Sequence, residues 1–142
     1  MNHMSVPQWR PFLSLFAQEL TQTLTPGLLG RLMHDTGVRF ARQYVLAPAG
    51  TVAEMQDVMN HVWRELQWGE VEIDESEIRL VLTHRYAPLR AVFGAENDRW
   101  AGAFLEGVYE GWMQQLGADP RLRTTMAGAA DASGTMIFSF GA

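Results

Sequence analysis

The chain has 142 residues, a formal net charge of −5 from eleven basic and sixteen acidic side chains, 47% hydrophobic residues and no cysteine. That length suits one domain with a real core, and the composition excludes a disordered chain. Disulfides, thiolate zinc sites and cysteine nucleophiles are ruled out, and the lack of any basic run argues against nucleic acid or an anionic membrane surface as partner.

Phe12, Leu15, Phe16, Leu20 and Leu24 share one helical face and predict a first helix over 12–24, with Pro11 in its first turn. Residues 1–10 precede it as an extended segment. Thr25 and Pro26 suit the N-cap and first position of a second helix. That helix carries Leu28, Leu29, Leu32, Met33, Phe40 and Tyr44, has Gly37 in its middle and runs to about Val45. "LAPAGT" breaks it, because Pro48 disfavours helix at Ala47. Thr51 and Glu54 form a capping box for a third helix, whose Met55, Val58, Met59, Val62, Trp63 and Leu66 keep helical spacing. Gly69 suits its left-handed C-cap.

The period then drops to two. Val71 and Ile73 alternate with acids, and after "DESE" the residues Ile78, Leu80 and Leu82 alternate again, which predicts a β-hairpin. Residues 86–98 read as a loop or broken segment, and a helix follows from about Asn97 to Leu116. "RLRTTMA" and "TMIFSF" are two further strands, joined by the small-residue loop "GAADASG". The expected fold is α+β: N-terminal helices and a long helix in the C-terminal half, packed with a small antiparallel sheet of about four strands, in one domain over 1–142.

Chemical constellations are scarce. His61 and Glu65, four apart on a helix, read as a surface pair rather than the start of a metal site, since no further ligand cluster accompanies them. His84 reads as a half-buried residue at a sheet margin, and His3 and His34 have no companions that suggest a constellation. Glu70, Glu72, Asp74, Glu75 and Glu77 alternate with apolar residues as a solvated sheet face does. Arg39 and Arg42 lack a glycine cradle for phosphate. There is no phosphate loop, dinucleotide fingerprint or serine elbow, so no catalytic residue, metal or cofactor is expected and the chain does not read as an enzyme.

The helix "AFLEGVYEGWMQQLG" raises a different point. Phe104, Leu105, Val108, Tyr109, Trp112, Met113 and Leu116 make its core stripe, with Glu106, Glu110 and Gln114 opposite. Ala103, Gly107 and Gly111 form a separate row of small residues, although each interior glycine costs about 0.5–1 kcal/mol relative to alanine. Such a row lets another backbone come close. The neighbour is either a second helix of the same domain or the same surface on another protomer, and Ala103, Gly107 and Gly111 are the candidate oligomer interface.

The ordered set of signals resembles the bacterial cellulose synthase D-subunit family. The resemblance rests on "GRLMHDTGVRFARQ" (30–43), "TVAEMQ" (51–56), "QWGEVEI" (67–73) and Leu105-Glu106-Gly107-Val108-Tyr109 with Trp112, and it spans roughly 12–140. It implies an accessory protein of cellulose secretion, not the glycosyltransferase: an octamer built as a tetramer of dimers, in which β-1,4-glucan chains pass along channels lined by N-terminal segments. It also implies a scaffold role with the cellulose synthase complex and a proline-rich protein partner. Trp9, which has no core stripe to join, and Arg10 beside it are the candidate glucan contacts. Trp63 and Trp112 sit on core faces, and Trp68 at a helix-to-strand corner. With no basic n-region ahead of an apolar run, the expected location is the cytoplasmic side of an inner-membrane synthase; the periplasm is the alternative for a protein that guides secreted glucan.

Overall fold

Capping chemistry sets where the helices begin. In this computed structural model, which describes residues 6–128 and 133–142, α2 (Pro26–Gln43) starts where the Thr25 hydroxyl accepts the Leu28 N–H at 3.2 Å. The next helix, α3 (Val52–Leu66), has the full reciprocal box: Glu54 N–H donates to the Thr51 hydroxyl and Thr51 N–H to the Glu54 carboxylate, both at 3.1 Å. Its left-handed cap is Gln67 (φ +58°), not Gly69. Gly69 is left-handed too, but for another reason: a Cβ there would lie 1.9 Å from the Arg85 carbonyl oxygen.

The first helix, α1 (Val6–Thr23), begins earlier than its apolar spacing suggests, so Pro11 lies inside it and residues 6–10 are helical rather than extended. Pro7 is itself compatible with a first helical turn, and the start moves to it. Residues 1–5 lie outside the described part. The stretch that reads as a loop over 86–98 holds a five-residue helix, α4 (Leu89–Phe93), and a 3-10 turn, Ala95–Asn97, both too short to show a periodicity. The long glycine-bearing helix is α5 (Asp98–Gln115).

Four strands, β1 (Glu70–Glu75), β2 (Leu80–Arg85), β3 (Arg123–Gly128) and β4 (Met136–Gly141), form one antiparallel sheet in the order β1-β2-β4-β3. The fold is α+β, as the sequence predicts. The loop "GAADASG" falls mostly on 129–132, outside the described residues. Register pairs Ile73 with Leu82, Leu82 with Phe138 and His84 with Met136, which turns Val71, Ile73, Leu82, His84, Met136, Phe138 and Phe140 to one buried face. Glu70, Glu72 and Asp74 of β1 point to the other face and are exposed.

The row of small residues on α5 meets α2 of the same chain. A Cβ on Gly107 would lie 2.0 Å from the His34 carbonyl oxygen, and one on Gly37 would lie 2.0 Å from the Phe104 carbonyl oxygen. The two helices touch backbone to backbone, each supplying a glycine opposite the other's peptide groups. A Cβ on Gly111 would come 2.8 Å from that of Ala41. Ala103 and Gly107 are buried and Gly111 is half-buried in this seam. Of the two neighbours left open by the sequence, the second helix is the one that Gly107 and Gly111 meet within this chain.

The seam holds the aromatic centre together. Phe40 on α2 stacks on Trp63 (5.6 Å) and meets Phe104 edge-on (5.5 Å), and Trp63 packs on Trp112 (5.1 Å). At the far end of α2, Trp112 Nε1–H donates to the Tyr44 carbonyl at 2.9 Å and Gln115 donates to that of Ala41, satisfying carbonyls that a helix end leaves open.

Gly30, also inside α2, contrasts with these positions, because a Cβ there would meet nothing within 4 Å. In urea unfolding, Gly30→Ala is expected to stabilise the chain by about 0.5–1 kcal/mol. Gly37→Ala and Gly107→Ala, which drive a methyl into a fixed carbonyl, are expected to destabilise it by at least about 1–3 kcal/mol. Equal effects at the three positions would refute the backbone contact.

Candidate functional site

The buried ionisable groups have structural partners. His84 is fully buried rather than half-buried at the margin, because β2 is a central strand. Its Nε2 lies 2.7 Å from the Trp68 carbonyl, so Nε2 carries the proton and Nδ1 accepts from the Tyr109 hydroxyl. That hydroxyl in turn accepts the Trp63 Nε1–H at 3.0 Å. Every donor in this relay has an acceptor. Burial pulls the His84 imidazole down to about 4, against the opposing effect of the Trp68 carbonyl, and burial holds the Tyr109 phenol well above its ordinary value. The pair ties α3, β2 and α5 together with both groups neutral.

His61 and Glu65 form an exposed pair on α3 at 2.9 Å. Among the described residues no three His, Asp or Glu side chains are grouped closely enough to hold a metal ion. Trp100, which the sequence leaves unplaced, is buried and donates to the Asn97 side chain at 3.0 Å.

Both edges of the sheet are closed by side chains from helices. On β1, Val71 N–H donates to Asn60 Oδ1 at 2.7 Å, the Asn60 amide returns a bond to the Val71 carbonyl at 2.9 Å, and Ile73 N–H donates to Gln56 Oε1 at 2.8 Å. On β3, Thr124 N–H donates to Glu110 Oε1 at 3.1 Å and Met126 N–H to Glu106. In each case side chains at i and i+4 of a helix serve strand residues at i and i+2. The match is geometric: both spacings are about 6 to 7 Å. Glu106 and Glu110 are therefore not a solvated face, as the sequence suggests, and only Gln114 of that trio is exposed. Burial raises the Glu106 carboxyl above its ordinary value despite the bond from Met126. Glu110 also faces His34, with Nε2 3.4 Å from its second oxygen.

Apart from Val45, Ile78 and Tyr86, which lie outside the helices, the large exposed apolar residues are on helices. Trp9 (44%), Phe12 (58%), Leu15 (62%) and Phe16 (48%) line the outward side of α1, and Leu28 and Leu32 on α2 are half exposed. Phe12 and Phe16 stack at 5.8 Å with near-parallel rings, and Trp9 meets Phe12 edge-on at 6.3 Å. Of the two candidate glucan contacts, Trp9 belongs to this aromatic row and Arg10 is exposed next to it. Behind the row, Leu13, Met33, Trp68, Leu89, Phe93 and Phe104 line a groove of about 330 Å³ with wholly apolar walls. Among the described residues no helix is long and apolar enough to cross a membrane.

A family model that describes the D-type subunits of cellulose synthase matches residues 1–139 of the 142. The chain belongs to the cellulose synthase D-subunit family. Members of that family are accessory rather than catalytic subunits, and membership associates the chain with the cellulose synthase complex. No curated protein matches the chain. The aromatic row on α1 is legible in the sequence as an amphipathic stripe, although its spacing alone reads as core. The edge-closing side chains and the His84 relay carry no local signal, because their partners lie 11 to 46 residues away.

The His84 relay has a measurable consequence. Its folded value lies below the unfolded one of 6.5, so the unfolded chain binds the extra proton between the two. Stability from this group is complete above pH 6.5 and is lost as pH falls toward 4, by roughly 3 kcal/mol in total. Urea midpoints measured across that range should fall accordingly, and His84→Gln should flatten the dependence; an unchanged slope in the variant would remove His84 as its source.

Proposed function

We propose that this chain is a non-catalytic accessory component of the cellulose synthesis and export machinery. It assembles into a ring of eight chains, a tetramer of dimers, on the cytoplasmic side of an inner-membrane synthase, and there it guides and aligns nascent β-1,4-glucan. Family membership supports the setting. The observation that carries the rest is the outward face of α1, where four large apolar side chains stand in water in a single row. Contiguous exposed apolar surface marks an interaction site rather than a solvated one. Its aliphatic and phenyl members, Phe12, Leu15 and Phe16 with Leu28 and Leu32, suit a self-complementary contact between copies. Trp9 and Arg10 at the start of the row suit a sugar chain: the indole face stacks on the C–H face of a pyranose, and the guanidinium donates to hydroxyls.

The closed edges of the sheet favour this division, since neither β1 nor β3 offers free backbone groups for strand addition at the bonded positions. A second reading, a scaffolding module that binds a proline-rich protein partner without touching glucan, is favoured by the apolar groove between α1, α2, α4 and α5. Its aromatic walls suit an extended proline-rich segment.

Light scattering after size-exclusion chromatography tests the assembly. The expected mass is near eight chains of 16.0 kDa, and Phe12→Glu with Phe16→Glu should release smaller species that keep wild-type circular dichroism. A wild-type monomer at micromolar concentration would overturn the ring.

A further inference from the structure

Gly30 sits inside α2, where a glycine costs helix propensity, and no packing accounts for it, since a Cβ there would meet nothing within 4 Å. Gly27, one turn earlier, has only the Thr25 hydroxyl near it, at 4.0 Å from the place of a Cβ. Both open onto one cleft of about 530 Å³, bounded by the corner between α1 and α2 on one side and by the start of α5 on the other. That volume is in the range of small-molecule sites. Leu29 and Trp100, both buried, supply its apolar wall. The indole N–H of Trp100 is taken by the Asn97 side chain, so the ring offers the cleft apolar surface.

Arg31 on α2 and Arg99 on α5 are exposed and line the same cleft. Neither makes a hydrogen bond or a close ion pair among the described residues, unlike Arg85 and Arg121, which are held by Glu72 and Asp119. The two acids in the lining do not neutralise them at contact distance. Glu106 accepts the Met126 N–H, and Arg99 acts on it only through space. Glu96 turns back on Gly94, where its carboxylate oxygens lie 2.5 and 3.2 Å from the place of a Cβ. The open donors of the cleft are thus guanidiniums, planar forks whose N–H groups match a carboxylate or a phosphate.

An apolar wall beside two unpartnered guanidiniums favours an ion with an apolar body. An inorganic ion would gain nothing from Trp100, and a neutral apolar molecule would gain nothing from Arg31 and Arg99. We propose that this cleft binds a small organic anion, a phosphate or carboxylate carried on an apolar ring or chain. Arg31 and Arg99 take the head group, the body lies along Leu29 and Trp100, and the missing side chains at Gly27 and Gly30 leave it room. The site shares no residue with the row on α1 and does not depend on a glucan contact.

The full chain, labelled for NMR, is titrated with phenyl phosphate, phenylacetate, inorganic phosphate and benzyl alcohol, in the wild type and in Arg31→Gln, Arg99→Gln, Gly30→Leu and Arg39→Gln. Phenyl phosphate or phenylacetate is expected to move the Gly27 and Gly30 amide signals and the Trp100 indole N–H saturably, and the tighter of the two identifies the head group. Inorganic phosphate and benzyl alcohol, each carrying one half of the ligand, should bind at least about tenfold more weakly. Arg31→Gln and Arg99→Gln should each weaken binding about tenfold. Gly30→Leu, which fills the cleft, should abolish binding while keeping wild-type circular dichroism. Arg39 also lacks a partner but lies outside the cleft, so Arg39→Gln should bind as wild type does. An equal loss in Arg39→Gln would assign the binding to general charge attraction and overturn the site. Absence of saturable shifts with both organic anions, shifts confined to other residues, or undiminished binding in Gly30→Leu also overturns it, and inorganic phosphate binding as tightly as phenyl phosphate overturns the organic ligand.

Discussion

The structure depends on one contact, the backbone-to-backbone crossing of α2 and α5. Helices normally pack with axes 8–10 Å apart because side chains stand between them. Here Gly37 and Gly107 take the side chains away at reciprocal positions, and each faces a carbonyl oxygen of the other helix. The helix propensity given up, about 0.5–1 kcal/mol per glycine, is offset by what the close approach permits. Phe40 reaches the Trp63–Trp112 pair, and Trp112 and Gln115 reach the last carbonyls of α2. With α2 occupying one side, α5 has its remaining faces free for the sheet and for the edge of β3, and in consequence most residues of this helix are buried.

Closing the sheet edges follows from the same placement. An edge strand presents a ladder of unpaired backbone groups that invites pairing with another chain. In this molecule α5 brings Glu106 and Glu110 to β3, and α3 brings Gln56 and Asn60 to β1. Carboxylates and carboxamides at i and i+4 answer the strand's period of two, so both ends of a small sheet are finished without further strands. A protein that associates with others has then to do so through helices or loops, and large apolar residues are left in water on α1, on α2 and at Tyr86.

Local chemistry is legible in the sequence and tertiary chemistry is not. The Thr51–Glu54 box, the Thr25 cap and the alternation of Val71 with Ile73 and of Leu80 with Leu82 are interactions over two to four residues, and each stands where the sequence puts it, whereas Ile78, read into the same run, lies before β2 and is exposed. The row Ala103, Gly107 and Gly111 is visible as a demand for a close neighbour, but a row of small residues cannot say whose backbone fills it. His84 is underestimated for a related reason. A lone histidine at the end of an alternating run looks marginal until β4 covers the strand on its second side, and its relay runs to Tyr109, 25 residues on. Glu106 and Glu110 look solvated because they lie opposite the apolar stripe; that inference fails when a strand edge rather than water lies there. The start of α1 is ambiguous because two prolines, Pro7 and Pro11, are both compatible with a helix beginning, and apolar spacing alone selects the later one.

A guide for a growing polymer needs contacts that are numerous, weak and indifferent to which repeat unit is passing. Stacking on aromatic faces has these properties, because every residue of a β-1,4-glucan presents the same C–H surface and none is held by a buried charge. Hydrogen-bonded or ionic sites would grip one unit and stall the chain. Trp9, the aromatic position assigned to this role, rides on α1, which touches the body through α4 and α2. In that scheme the contact has only to stack, and the residue performs no chemistry.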